Sequence, residues 1–311
     1  MRDATDGSQA VAITAARPTR NESTIGPKKA RATAARVATY AILLAWAFIS
    51  LFPILWTITT SVKSQVAVIK GPTYLPWLDF NPVDLGWRSI TQGSQGDVFL
   101  HNVRNSTIIA LTSGAAALVL GSLAGYGLAR FTYRFGPWRN RDISFWFLSQ
   151  LILPPVAIIM PMLILYRDLD LLDTHLGLII LYTVANLPIV IWIMRDQFNS
   201  IPIELEHAAL VDGSTIFGAF LRIVIPVAGP GLVAAFILVV VFCWNEYFFA
   251  AVLSRTDATT VPYMVAAQVS SQGVTWWSMA AIATAAIAPL IVIGVVLERY
   301  IVKGLTAGAV K

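Results

Sequence analysis

The chain has 311 residues, of which 57% are hydrophobic and only 13% charged, against about 25% charged in an average soluble domain. That deficit excludes an ordinary globular cytosolic protein and fits a chain solvated by lipid. A single cysteine, Cys243, excludes a disulfide framework, and the formal net charge of +5 matters less than where the charges fall.

Residues 1–36 are polar, rich in Ala, Thr and Arg, and have no apolar stretch. They read as a disordered, basic cytoplasmic tail and not as a cleavable signal peptide. A membrane-crossing helix needs about 20 mostly apolar residues, and six segments qualify: roughly 38–62, 106–129, 143–166, 176–194, 229–253 and 276–297. The expected fold is therefore an all-α integral membrane bundle of six helices over residues 37–303, followed by a cytoplasmic tail at 304–311. Of the 22 Lys and Arg residues, sixteen fall in the N-terminal tail, after the second and fourth spans, and in the C-terminal tail. The positive-inside rule then puts both termini in the cytoplasm of a multi-pass protein.

Between the first two spans lies a long outer loop, 63–105, with Trp77 and Trp87 placed as interfacial anchors. Small residues crowd the second span (Ser113, Gly114, Gly121, Gly125), which points to close helix packing. Pro154-Pro155 in the third span, and Asn186 with Pro188 in the fourth, mark bends whose freed carbonyls need partners. In the fifth, Trp244, Asn245 and Glu246 are the candidate pathway or subunit-interface residues together with Asn186. An ionisable group inside a membrane is functional by default. Glu246 either lines the path, bonds a partner helix, or lies near the outer interface. The polar loop 254–275 before the last span faces outward.

The cytoplasmic segment 195–228 is far longer than a turn needs. Ser200 reads as an N-cap with Pro202 in the first turn. Glu204 and Glu206 follow early, where the helix dipole favours anions. Gly213 reads as the stop, and a second short helix runs from Thr215 to about Ile223 before Pro226. A helix resting on lipid headgroups usually carries Lys or Arg on its polar face. This one is acidic, so a protein partner suits it better.

From about residue 39 to the end, six stretches in order resemble the carbohydrate-importer permeases of the ATP-binding-cassette class, of the type of the maltose-system permease. They are AGYGLARF (124–131), LLDTHLGLI (171–179), IPIELEHAALVDG (201–213), IVIPVAGPG (223–231), FCWNEYFFA (242–250) and RYIVKGLTAGAVK (299–311). The resemblance implies the MetI-like permease bundle and a coupling loop at 200–228, the EAA loop. Its residues here are Glu204, Glu206, His207, Ala208, Ala209, Asp212, Gly213, Ile223 and Pro226. It implies a second, homologous permease, a nucleotide-binding ATPase dimer on which this loop docks, and an extracytoplasmic binding protein that delivers a sugar or polyol. ATP and Mg belong to the ATPase, with no cofactor on this chain. The tail residues Gly304, Leu305, Thr306 and Gly308 would reach the ATPase. The family usually places Glu immediately before the two alanines, and this chain has His207 there. Glu204 and Glu206 then carry the electrostatics, or the partner's groove has changed.

No Walker A sequence is present, so the chain is not expected to hydrolyse ATP itself. A secondary transporter would show charges deep in several helices and an internal repeat; only Glu246 is of that kind. A membrane enzyme would need a cluster of His, Asp, Glu or Cys, and His101, His175 and His207 read as lying in different loops, without metal-ligand spacing. Membrane lipid is the expected surroundings, and no nucleic-acid partner is expected.

Overall fold

A computed structural model describes residues 26–270 and 273–309, with side chains over 31–270 and 273–295. The chain divides between Pro53 and Ile54 into two units. The first helix, α1 (Gly26–Ser61), begins well before the predicted start of the first span. The stretch Arg31–Arg36 is helical because Ala and Arg are strong helix formers. Residues 1–25 of the predicted tail lie outside the described residues.

In the second unit the loop after α1 carries α2 (Gln65–Ile69) and α3 (Leu85–Thr91), and leads into α4 (Gly93–Arg130). A two-stranded hairpin, β1 (Arg134–Phe135) with β2 (Trp138–Arg139), turns the chain into α5 (Asn140–Ser149) and α6 (Pro155–Asp168). Then come α7 (His175–Asn199), α8 (Glu204–Val211), α9 (Ile216–Ala219), α10 (Ile225–Val227) and α11 (Gly229–Asn245). The chain ends with α12 (Phe248–Leu253), α13 (Val261–Ala266), a second antiparallel hairpin, β3 (Val269–Ser270) with β4 (Gly273–Val274), and α14 (Trp276–Ala309). Among the described residues four helices are long and apolar enough to cross a membrane, or six spans if each of two bent pairs counts as one.

The bundle is organised on α4 and α7, the most extensively packed pair. Small residues explain the close approach. A Cβ built on Gly121 would stand 2.5 Å from Val190 Cγ1, and one on Gly125 would stand 2.9 Å from the Arg195 amide nitrogen. Around this seam the core gathers Ile109, Tyr182, Val190, Met194 and Phe198, joined by Val239 of α11.

Two predicted spans are not continuous. The third breaks between α5 and α6, which meet at 90°. Leu153 and Pro154 are extended there, with ψ of 123° and 131°, because a residue preceding proline is pushed out of the helical region. The fifth ends at Asn245, and Glu246 is extended before α12 begins. Its carboxylate substitutes for the missing turn by accepting from the backbone N–H groups of Phe249 (2.9 Å) and Ala250 (3.3 Å).

The segment 254–261 is tied down from two sides. Asp173, with φ of 55°, accepts hydrogen bonds from the backbone N–H of Arg255, Thr256, Asp257 and Ala258, and from the Thr256 hydroxyl. From α4, Asn105 donates through Nδ2 to the carbonyls of Asp257 (2.7 Å) and Thr259 (2.9 Å), and its Oδ1 accepts from His175 Nε2 (2.7 Å). His101 Nε2 reaches the same Asp257 carbonyl at 3.0 Å. The two histidines read as belonging to separate loops therefore share one cluster, because α4 and the start of α7 lie side by side.

Partial burial opposes ionisation of Asp173, but the converging N–H and hydroxyl donors outweigh it and hold its carboxyl well below the usual carboxylate range. The linkage is that of a depressed acid. Its stabilisation is complete above the unfolded-state value of about 3.9 and is lost only as pH falls through the lower folded value. Asp173→Asn is expected to lower hydrogen-exchange protection of amides 255–258 about tenfold at pH 7, from the loss of charge-assisted bonds. Wild-type protection should persist at pH 4.5. Equal protection in the two proteins at pH 7 would refute the clamp.

Candidate functional site

The helix α8 starts at Glu204 after Ile203, which makes no side-chain cap. Ser200, expected to cap it, instead closes α7, its hydroxyl donating to the Gln197 carbonyl at 2.7 Å. Two acids, Glu204 and Glu206, stand in the first turn, where the positive helix end favours negative charge. At the other end Gly213, with φ of +87°, lets the chain reverse. The Ser214 N–H bonds the Ala209 carbonyl and the Gly213 N–H that of Leu210, the paired pattern of a Schellman stop. Thr215 then caps α9 by accepting from the Gly218 N–H at 3.0 Å. A π-helical turn, Phe220–Val224, follows before Ile225 and Pro226. The α9–α10 arm meets α11 at 77°.

The two acids of α8 point in opposite directions. Glu206 is 6% exposed. Its carboxylate accepts from the Tyr126 hydroxyl and from Arg130 Nε, each at 2.6 Å, and Arg130 also donates to the Ile201 carbonyl at 2.9 Å. Both side chains of the ion pair are 8% exposed. A buried pair with this many hydrogen bonds fixes geometry more than it adds net stability. Tyr126 in turn packs against Phe198 and Phe220, at ring separations of 5.7 and 4.4 Å. Thus α8 is pinned to the end of α4 and to the π-helical turn.

The opposite face is open. Glu204, Leu205, His207, Ala208, Asp212 and Gly213 are exposed and Ala209 is half-buried. Val211 is 87% and Phe217 60% exposed, with Ile216 and Leu221 beside them in the chain. This is an exposed apolar surface interrupted by acids, and not a core face. Ile223 is half-buried and Pro226 exposed.

The pathway candidates are largely engaged within the chain. Glu246 also accepts from the Tyr182 hydroxyl of α7. Asn186 donates to the Tyr182 carbonyl at 2.8 Å. Trp244 is buried, its indole N–H donating to the Ala286 carbonyl of α14 at 3.2 Å. Asn245 is exposed and donates to the Val241 carbonyl. Gly304, Leu305, Thr306 and Gly308 fall where side chains lie outside the described residues. No group of His, Cys, Asp or Glu suited to a metal occurs among the described residues.

Residues 117–307 match the family described as the binding-protein-dependent transport system inner membrane component. The chain belongs to this family. Its curated relatives span nearly the same length. A trehalose transport system permease of Mycobacterium tuberculosis is 35% identical over 89% of this chain and 99% of its own. An inner membrane ABC transporter permease of Escherichia coli is 30% identical over 90% of this chain and 98% of its own. A diacetylchitobiose uptake permease of Streptomyces coelicolor is 29% identical over 86% and 87% of the two chains. Among solved structures, a chain of a bacterial ABC transporter involved in import of the acidic polysaccharide alginate superposes with a TM-score of 0.67 at 23% identity, covering 85% of this chain and 95% of that one. This permease therefore has the MetI-like fold, as the resemblance implied.

Sequence reasoning did not single out Tyr126 or Arg130, which hold the permease's Glu206 from 80 and 76 residues away. Both lay within the stretch 124–131 without a role of their own, and Arg130 also counted among the basic residues after the second span. Asp173 likewise lay within the stretch 171–179 without a role of its own, and Tyr182 was unmarked.

Proposed function

We propose that this permease carries a sugar or polyol across a bacterial inner membrane, with both termini cytoplasmic. An extracytoplasmic binding protein delivers the solute, a second homologous permease completes the pore, and an ATPase dimer holding ATP and Mg supplies the energy. The observation that carries the reading is the division of α8 into two faces. Its inner face is bolted to α4 through Glu206, and its outer face presents Glu204, Leu205, His207 and Val211. A helix fixed in this way acts as a lever. When ATP draws the ATPase subunits together, movement of α8 passes to α4 through Arg130 and to α11 through the α9–α10 arm. The ligand-driven shift is as large as the difference in ATP affinity between the two states.

With Glu206 turned inward, Glu204 and Asp212 are the acids of the exposed α8 face, and His207 stands between them where the family usually has its acid. Support for a sugar comes from the trehalose and diacetylchitobiose permeases among the relatives. The tail residues 304–308 are assigned to the ATPase by resemblance alone.

Gly213→Val tests the lever. A β-branched residue in the left-handed region is strained by about 1–3 kcal/mol, while space at this position is open. The expected result is normal membrane insertion with ATP-dependent uptake reduced about tenfold, the factor that 1.4 kcal/mol represents. Full uptake in this variant would exclude a lever role for α8.

A further inference from the structure

At the end of the bundle opposite α8, residues of α3, the start of α4, the end of α13, β3 and the start of α14 line a half-open cavity of about 370 Å³. That lies within the range of small-ligand sites, about 300–1,000 Å³. Its floor is apolar and rigid, formed by Ile90, Met264 and Ile282, all buried. Its walls carry Ser89, Gln95, Gln268, Thr275 and Ser278. Every lining side chain is uncharged. In a chain whose surface loops hold many ionic groups, a polar cavity of this size without one is a specific chemical statement.

The walls are also pre-oriented. Ser89 donates to the Gly86 carbonyl at 2.6 Å and shares a hydrogen bond of 3.0 Å with Ser278. The Thr275 hydroxyl donates to Gln268 Oε1 at 2.9 Å, which fixes the Gln268 amide with its NH₂ end near the Met264 carbonyl at 3.4 Å. Each hydroxyl keeps acceptor capacity, and the amide keeps a second donor. The Gln95 side chain makes no hydrogen bond among the described residues and is exposed at the rim. Donors and acceptors thus both stand above an apolar floor.

We propose that this cavity is a binding site for a neutral polyhydroxylated solute, a sugar of one or two rings, at the entrance of the permease. Each sugar hydroxyl is both donor and acceptor, which matches Ser, Thr and Gln walls. A carboxylate, sulfonate or phosphate would need Arg or Lys to offset its desolvation, and the lining has neither. The C–H faces of the sugar ring suit the floor of Ile90, Met264 and Ile282. The site rests on the importer reading and narrows it, since it selects neutral over anionic solutes. The Thr275 N–H bonds the Gln268 carbonyl across the base of β3–β4, which fixes that wall.

The test uses the complete transporter with its partner subunits in nanodiscs. Equilibrium dialysis is run with labelled trehalose, maltose, diacetylchitobiose and xylitol, and with glucuronate as the anionic probe. The expected result is retention of at least one neutral probe and exclusion of glucuronate, with retention weakened about tenfold by Gln268→Leu and by Ser278→Ala, each of which removes a hydrogen-bonding group. Binding of no neutral probe, equal binding of glucuronate, or unchanged binding in both variants would overturn the site. Binding-protein-stimulated ATP hydrolysis by the wild-type complex is measured in parallel. If it is present while the cavity variants bind like wild type, the cavity fails and the importer reading stands. If it is absent, the importer reading itself fails.

Discussion

Replacing Glu206 with alanine is expected to abolish ATP-driven uptake while the chain still inserts into the membrane. The carboxylate is the shared acceptor for Tyr126 and Arg130. Without it the Arg130 guanidinium stays buried with only the Ile201 carbonyl to face. Removing one partner of a buried pair costs about 3–5 kcal/mol, enough to change the ratio of docked to loose α8 by more than a hundredfold. Uptake in proteoliposomes should fall to background, and hydrogen-exchange protection over 204–214 should drop with it. Arg130→Ala should behave alike, since it leaves Glu206 buried and uncompensated. The double variant Glu206→Gln, Arg130→Met removes both charges and should recover part of the activity, and the cycle of single and double variants measures the coupling directly. Glu204→Ala, on the exposed face, should leave α8 protected and alter only docking of the ATPase. Wild-type uptake in Glu206→Ala would show that the ion pair is not the link between α8 and α4.

The membrane bundle was legible because a long apolar run has few other uses, and α4, α7 and α14 lie where those runs predict. The stop at Gly213 was legible too, since a left-handed turn selects glycine. What escaped was whatever depends on contacts distant in sequence. ELEHAALVDG presents two acids two residues apart, and nothing local says that Glu206 turns inward while Glu204 stays out. That is decided by Arg130, 76 residues earlier. Pro154-Pro155 announced the break between α5 and α6, whereas the break at Glu246 had no proline or glycine to mark it. There the glutamate itself replaces the helix by binding the N–H groups of Phe249 and Ala250. Ser200 misled because a serine before an Ile-Pro step reads as an N-cap, while a hydroxyl can equally serve the end of the preceding helix.

Gly125→Leu is expected to prevent the permease from folding, and the reason lies in what its Cβ would meet. The contacts are the Arg195 amide nitrogen at 2.9 Å, the Ile191 carbonyl oxygen at 3.2 Å and Met194 Cβ at 3.2 Å. Two of the three are backbone of α7, which cannot rotate aside as a side chain would. Added volume in a close-packed seam destabilises by about 1–3 kcal/mol even where side chains can yield, and a leucine here must displace the helix. The expected outcome is loss of the monodisperse species on gel filtration in mild detergent, with Gly125→Ala giving a smaller loss. Gly294→Leu is the control, because no atom lies within 4 Å of the Cβ built there, and it should fold. Full recovery of folded Gly125→Leu would mean that α4 and α7 do not approach as closely as the structure has them. The same approach sets the position of α8. The end of α7 delivers the chain to α8, and Tyr126 and Arg130, one and five residues beyond Gly125, seize it from α4. If the seam widens, Glu206 can be held by the chain of α7 or by the side chains of α4, but not by both. The small residues of the second span are thus the condition for a firmly held α8, and not only a packing preference.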